Sequence, residues 1–138
     1  MVATDGSESS TAAVDHAVAI AAQSGATVHF VHVVDVGTEM SASGVGTIAD
    51  ELTTTLEQEA KRVLDDATAR ADEASVDYDR TALEGTPHES IVEYGAEHDV
   101  DLVVVGASGE SGLASHLLGS TTDRVVRSSD TSVLVVRP

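Results

Sequence analysis

Cysteine and tryptophan are absent from the 138-residue sequence, and positive charge is scarce: seven Lys+Arg, with Lys61 the only lysine, stand against 24 Asp+Glu. Without cysteine there is no disulfide, no thiolate metal site and no cysteine nucleophile, a composition compatible with a reducing interior. No apolar stretch approaches the ~18 residues that would cross a bilayer as a helix. The opening MVATDGSESS has neither a basic region nor a signal-type apolar segment, so a soluble, cytoplasmic protein is expected. The formal net charge of −17 argues against nucleic acid and anionic membrane as partners, since both are bound mainly through basic patches. It reads first as a solvated acidic surface.

What is present is an alternation. The length suits one domain, 1–138, able to bury roughly 68% of the surface that its unfolded form exposes. MVATD is short and apolar, and SESSTAAVDHAVAIAAQSG follows with Val14, Ala17, Val18 and Ala21 at the spacing of one helix face and Gly25 as a C-terminal stop. ATVHFVHVVD is β-branched and nearly continuous, as expected of a strand covered on both faces. VGTEMSASGVG is a Gly/Ser-rich loop without periodicity, read as a mobile lid.

Residues 47 to 74 form the longest predicted helix, with Ile48, Leu52, Leu56, Val63, Ala67 and Ala71 on one face. VDYDRTALEG alternates with period two. In TPHESIVEYGAEHD, Thr86 and Glu89 have capping-box spacing and Pro87 takes the first helical position. VDLVVVG is the most apolar strand, STTDRVVRSS opens a helix with Ser120 and Asp123 in the same box spacing, and TSVLVVRP closes the chain as a strand. The pattern β-α-β-α-β-α-β-α-β predicts one open parallel five-stranded sheet with helices on both faces and right-handed crossovers.

Ligands of such sheets sit beyond the carboxyl ends of the strands at the topological switch point. With strand order 3-2-1-4-5, Asp5 and Gly106 face each other across that crevice. GASGESGLASHLLGST follows the fourth strand with Gly106, Gly109, Gly112 and Gly119 and no lysine or arginine. A helix starting near Ser120 points its unpaired N–H groups into the same place. Backbone amides and the hydroxyls of Ser120, Thr121 and Thr122 are therefore candidates to hold an anion where no lysine exists.

Gly106, two residues, Gly109, nine residues, then Gly119-Ser120 resembles the G-x2-G-x9-G-[S/T] signature of the ATP-binding branch of the universal stress protein family. VATDGSESS looks like that family's opening strand and turn, VHFVHVVD like its second strand and SVLVVRP like its last. The resemblance implies a Rossmann-like fold of the adenine nucleotide alpha hydrolase type. It implies Ala3, Thr4 and Asp5 around adenine and ribose, with Asp5 accepting from ribose hydroxyls and the backbone of Val33 at the adenine edge. Gly106, Gly109, Gly119, Ser120, Thr121 and Thr122 would cradle the phosphates of ATP, with Mg²⁺ or Mn²⁺ bridging them. It further implies a homodimer closed through Val133, Leu134, Val135 and Val136 of the last strand. Met1 stands almost at the site, so the first strand looks cut short beside the family pattern. Acid excess with scarce lysine, and Ala, Val and Thr in place of bulkier residues, resembles the habit of proteins from salt-loving archaea.

Other motifs fail on spacing. A P-loop needs a lysine after its glycines, G-x-G-x-x-G is absent after every strand, and GESG is one residue short of a nucleophile elbow. TDGSESS lacks the paired glycines of an adenylating enzyme's pyrophosphatase loop. His29 and His32, three apart on a strand, point to opposite faces and read as packed or hydrogen-bonded core residues. His116 lies in the glycine-rich stretch and reads as an exposed loop residue. The expectation is an ATP-binding, nucleotide-responsive stress module with at most slow hydrolysis. The alternatives are a nucleotide-free dimeric scaffold of the same fold and an adenylating or hydrolytic enzyme.

Overall fold

A computed structural model describes residues 1–35, 37, 49–108 and 117–138. Ile48, Gly109, Gly112, His116 and the predicted lid loop, Gly37 apart, lie outside the described residues. The elements are β1 (Val2–Ala3), α1 (Glu8–Ser24), β2 (Val28–Val34), α2 (Ala49–Glu73), β3 (Tyr78–Glu84), α3 (Pro87–Glu97), β4 (Leu102–Gly106), α4 (Ser120–Ser128) and β5 (Ser132–Val136). All strand pairs are parallel, as the alternation predicts, and their order β3-β2-β1-β4-β5 is the expected one.

Successive side chains of a strand point to opposite faces, so the continuous apolar strands feed two cores. Val2, Phe30, Val104 and Val136 pack under α1 and α2 against Val14, Ala17, Val18, Leu64 and Ala67. Met1, Val31, Val103 and Val105 pack on the other face against Ile91 and Tyr94 of α3 and Val125 of α4. Phe30 and Val31 are adjacent, both fully buried, and belong to different cores. Burying either contributes about 1.5–3 kcal/mol.

Small residues on the inner face of α1 let that helix lie close to the sheet. The closest approach is at Gly106, where a Cβ would meet Ser9 C at 2.6 Å and Ser10 N at 2.7 Å. The start of α1 is capped by Ser7, whose hydroxyl accepts from Ser10 N at 3.2 Å. Its end is closed by Gly25 in the left-handed region at φ 69°.

Two predicted capping boxes are not formed. Thr86 is the N-cap and Pro87 opens α3, but the Thr86 side chain makes no capping bond. Thr86 and Glu89 are both exposed, where water serves the same groups. For α4 the N-cap is Gly119, so Ser120 is already the first helical residue. Gly119 N donates to Ala107 O at 2.8 Å, and this tie to the end of β4 sets where the helix begins. Asp123 instead pairs with Arg127 at 2.9 Å.

His29 and His32 do occupy opposite faces. Tyr94 Oη and His29 Nδ1 are 3.0 Å apart, and the Tyr94 ring stacks on His98. Burial holds the His29 imidazole below its ordinary value, against the opposing pull of Asp79. At the same end of the sheet the Met1 amine donates to Leu102 O at 2.7 Å, and burial pushes it down to about 6.

Candidate nucleotide site

The site is built where the central strand stops. β1 ends with Ala3 opposite Val31, while β2 continues to Val34. Thr4 N still donates to Val31 O at 2.9 Å. Gly6, at φ 81°, then turns the chain into α1. Small hydroxyls fix this corner. Thr4 Oγ1 and Ser10 Oγ lie 3.1 Å apart, Asp5 N donates to Ser10 Oγ at 3.3 Å, and Ser7 N donates to Asp5 Oδ1 at 2.9 Å.

Above the corner lies a cavity of about 440 Å³. Its floor is Ala3, Thr4, Asp5 and Ser10. Val31, Val33 and Ile91 form an apolar wall, and Val105, Gly106 and Ser108 close the side toward β4. Gly119, Ser120, Thr121 and Thr122 bring the N-terminus of α4 to the rim. Nine of the predicted residues, namely Ala3, Thr4, Asp5, Val33, Gly106, Gly119, Ser120, Thr121 and Thr122, thus meet at one cavity. Gly109 lies outside the described residues.

Several of these residues have structural tasks that the sequence does not reveal. The missing Cβ of Gly106 makes room for the α1 backbone. The Gly119 amide is bonded to Ala107 O, and the buried Thr122 hydroxyl donates to Gly106 O at 2.7 Å. Among the described members of the predicted phosphate cradle, the groups left to meet an anion are the first-turn amides of α4, which have no intrahelical acceptor, and the hydroxyls of Ser120 and Thr121.

Alternation within β2 also decides where its peptide groups point. Val34 O accepts from Gly85 N on the β3 side, and Val31 O accepts from Thr4 N on the β1 side. The N–H and C=O of Val33 therefore face β1, beyond its last paired residue. Ser10, Val31, Ile91, Val105 and Ser108 were not singled out from the sequence. Period two would have supplied Val31 from Val33. Ser10 shows no signal apart from its place in the first turn after Asp5.

Below the sheet, on the α2 side, His32 Nδ1 lies 2.8 Å from Thr4 O. Nearby on α2 the Arg62 guanidinium bonds Glu59 and holds its carboxyl below the usual carboxylate range. Among the described residues no group of three or more His, Asp and Glu could hold a metal ion, and no helix is long and apolar enough to cross a membrane.

Residues 1–137 match the universal stress protein family. The chain belongs to that family. It is 36% identical to Universal stress protein MJ0531 of Methanocaldococcus jannaschii over 99% of this chain and 80% of that one. It is 34% identical to Universal stress protein YxiE of Bacillus subtilis over 99% and 97%. Among solved structures, the hypothetical protein MJ0577 of M. jannaschii superposes with a TM-score of 0.85 at 29% identity, covering 99% of this chain and 94% of that one. A universal stress protein in complex with cAMP has a TM-score of 0.70 at 34% identity, over 99% and 93%.

Proposed function

We propose that this universal stress protein binds an adenine nucleotide, ATP foremost, in the 440 Å³ cavity and acts as a nucleotide-responsive stress module. The observation that carries the reading is the meeting of an apolar wall, a carboxylate floor and a helix N-terminus in one place. Adenine suits the Val31, Val33 and Ile91 wall, and the outward peptide group of Val33 suits its hydrogen-bonding edge. Asp5 suits ribose hydroxyls, and the start of α4 suits phosphates, with Mg²⁺ or Mn²⁺ bridging them. The relative in complex with cAMP supports the adenine nucleotide class.

Hydrolysis is slow at most, because among the described residues no lysine, arginine or histidine lines the cavity to stabilise the transferring phosphoryl group or position water. A cytoplasmic location fits the sequence, and the acid excess fits a salt-rich one.

Calorimetry should show about one ATP bound per chain with Mg²⁺. Asp5→Asn keeps an oxygen for Ser7 N but removes the charge, and should weaken ATP by roughly tenfold, the difference between a charged and a neutral acceptor. Absence of ATP binding by the unaltered protein at millimolar concentration defeats the reading.

The same proposal includes a homodimer through β5, an edge strand. Ala107 N donates to Val136 O, so the peptide groups of Val136 and Leu134 face β4 and those of Val133 and Val135 face outward. A second copy related by a two-fold axis can pair with them antiparallel. The expected mass is about 28 kDa, twice the 14.1 kDa chain. Val135→Pro removes an outward N–H without breaking the β4 ladder, so light scattering should show a shift to monomer. A variant that remains fully dimeric rules out this interface.

A further inference from the structure

We infer that His32 is a positioning residue: its ring ends the pairing of β1 with β2 and keeps the Val33 amide open for the edge of a bound adenine. The inference rests on the nucleotide reading above and adds to it a residue on the far side of the sheet from the cavity.

In a parallel ladder a residue whose C=O accepts from one strand is followed, two positions on, by an N–H donated to the same strand. Since Thr4 N donates to Val31 O, continuation would bring Val33 N onto Thr4 O. The structure instead places His32 Nδ1 on Thr4 O at 2.8 Å. A carbonyl can only accept, so Nδ1 carries the proton. His32 and Thr4 are both buried, 8% and 6% exposed, where an unmet carbonyl would be costly. The imidazole meets that need from beneath, and Val33 N–H is left facing the cavity. Thr4 is fixed at the same time from its other side by Ser10. The corner that holds Asp5 is therefore clamped between β2 and α1 before any ligand arrives.

Adenine presents neighbouring donor and acceptor atoms on its edge, which the N–H and C=O of one residue can match. Guanine presents the opposite order. A role for His32 in exposing that peptide group therefore appears in base preference as well as in affinity, whereas simple destabilisation lowers melting temperature and leaves base preference alone.

The test compares His32→Leu, which cannot donate, with His32→Asn, whose amide nitrogen falls near the Nδ1 position. Affinities for ATP, GTP and adenosine are measured by calorimetry on the full chain below each protein's melting temperature. Expected for His32→Leu is a loss of about tenfold for both ATP and adenosine, with a similar narrowing of the preference for ATP over GTP. His32→Asn should stay within about threefold of the unaltered protein on all three. If His32→Leu does not fold, His32→Gln, whose amide is carried one bond too far, takes its place with the same expectation. His29→Gln, near the opposite end of the strand, should leave binding unchanged.

An unaltered base preference in His32→Leu, or an equal loss in His32→Asn, overturns the role of His32 while the nucleotide reading stands. Failure of the unaltered protein to bind ATP or adenosine overturns both.

Discussion

Gly106→Ala is expected to destabilise the protein by about 2–4 kcal/mol and to lower its melting temperature by on the order of 10 °C. The added Cβ would lie 2.6 Å from Ser9 C, 2.7 Å from Ser10 N and 2.8 Å from Ser9 O. These are backbone atoms, so no side chain can rotate aside. The first turn of α1 must retreat, and Ser10 must then leave Thr4 Oγ1 and Asp5 N. Binding at the cavity should therefore weaken along with stability. Gly25→Ala offers a contrast, because its strain comes from φ 69° with nothing within 4 Å of the new methyl group. It should cost only about 1 kcal/mol. Equal thermal melts for the Gly106 variant and the unaltered protein would show that α1 can slide outward at little cost.

Stability should also rise steeply with salt, by on the order of 10 °C in melting temperature between 0.1 and 1 M KCl, as the Debye length falls from ~10 Å to ~3 Å. Two effects compete. Salt weakens the surface ion pairs of Lys61 with Asp65, Arg62 with Glu59, Arg70 with Asp15 and Arg80 with Asp65. Exposed pairs of this kind contribute little individually. Salt also screens repulsion among 24 acids that share seven Lys and Arg, and at a net charge of −17 the repulsive contribution is the larger. Asp65 alone takes two of the few cations, Lys61 and then Arg80 holding its carboxyl below the usual range, which leaves fewer for the remaining acids. A flat melting temperature across this salt range would mean that the acids are compensated within the fold.

The parallel sheet was legible in the sequence because β-branched runs alternate with helical faces, and only a parallel sheet with crossovers accommodates that pattern; the alternation does not by itself dictate the order 3-2-1-4-5. The faces of β2 and β4 were not legible. A strand buried on both sides is apolar at most positions, so VHFVHVV and LVVVG alone do not say that Val31 and Val105 look into the cavity while Phe30 and Val104 do not; only the placing of Val33 would have supplied Val31, by period two. The cavity residues at Asp5 and Gly119–Thr122 were found through motif spacing, but their local bonds were not. Hydroxyls at Thr86 and Ser120 have capping-box spacing without forming one, since the start of α4 depends on the distant tie from Gly119 to Ala107.

Gly106 signals a close approach without saying to what. His32 reads from the sequence as a packed or hydrogen-bonded core residue, and it is buried, but the sequence does not name its partner. Its hydrogen bond to Thr4 O depends on β1 ending three residues before β2, which is a property of two strands together rather than of either sequence.

The placement of β1 at the centre of the sheet bears on how the chain folds as it leaves the ribosome. One side of β1 pairs with β2 soon after both are made, but the other waits for β4, whose Val104 N donates to Met1 O across about a hundred residues. At synthesis rates of ~5–20 residues per second that interval is roughly 5–20 s. Through it the β1–β2–β3 half presents an open, apolar strand edge with α1 already beside it. Nascent chains halted before Leu102 should therefore need a chaperone that covers such an edge, whereas chains released after Val136 can close the sheet on their own.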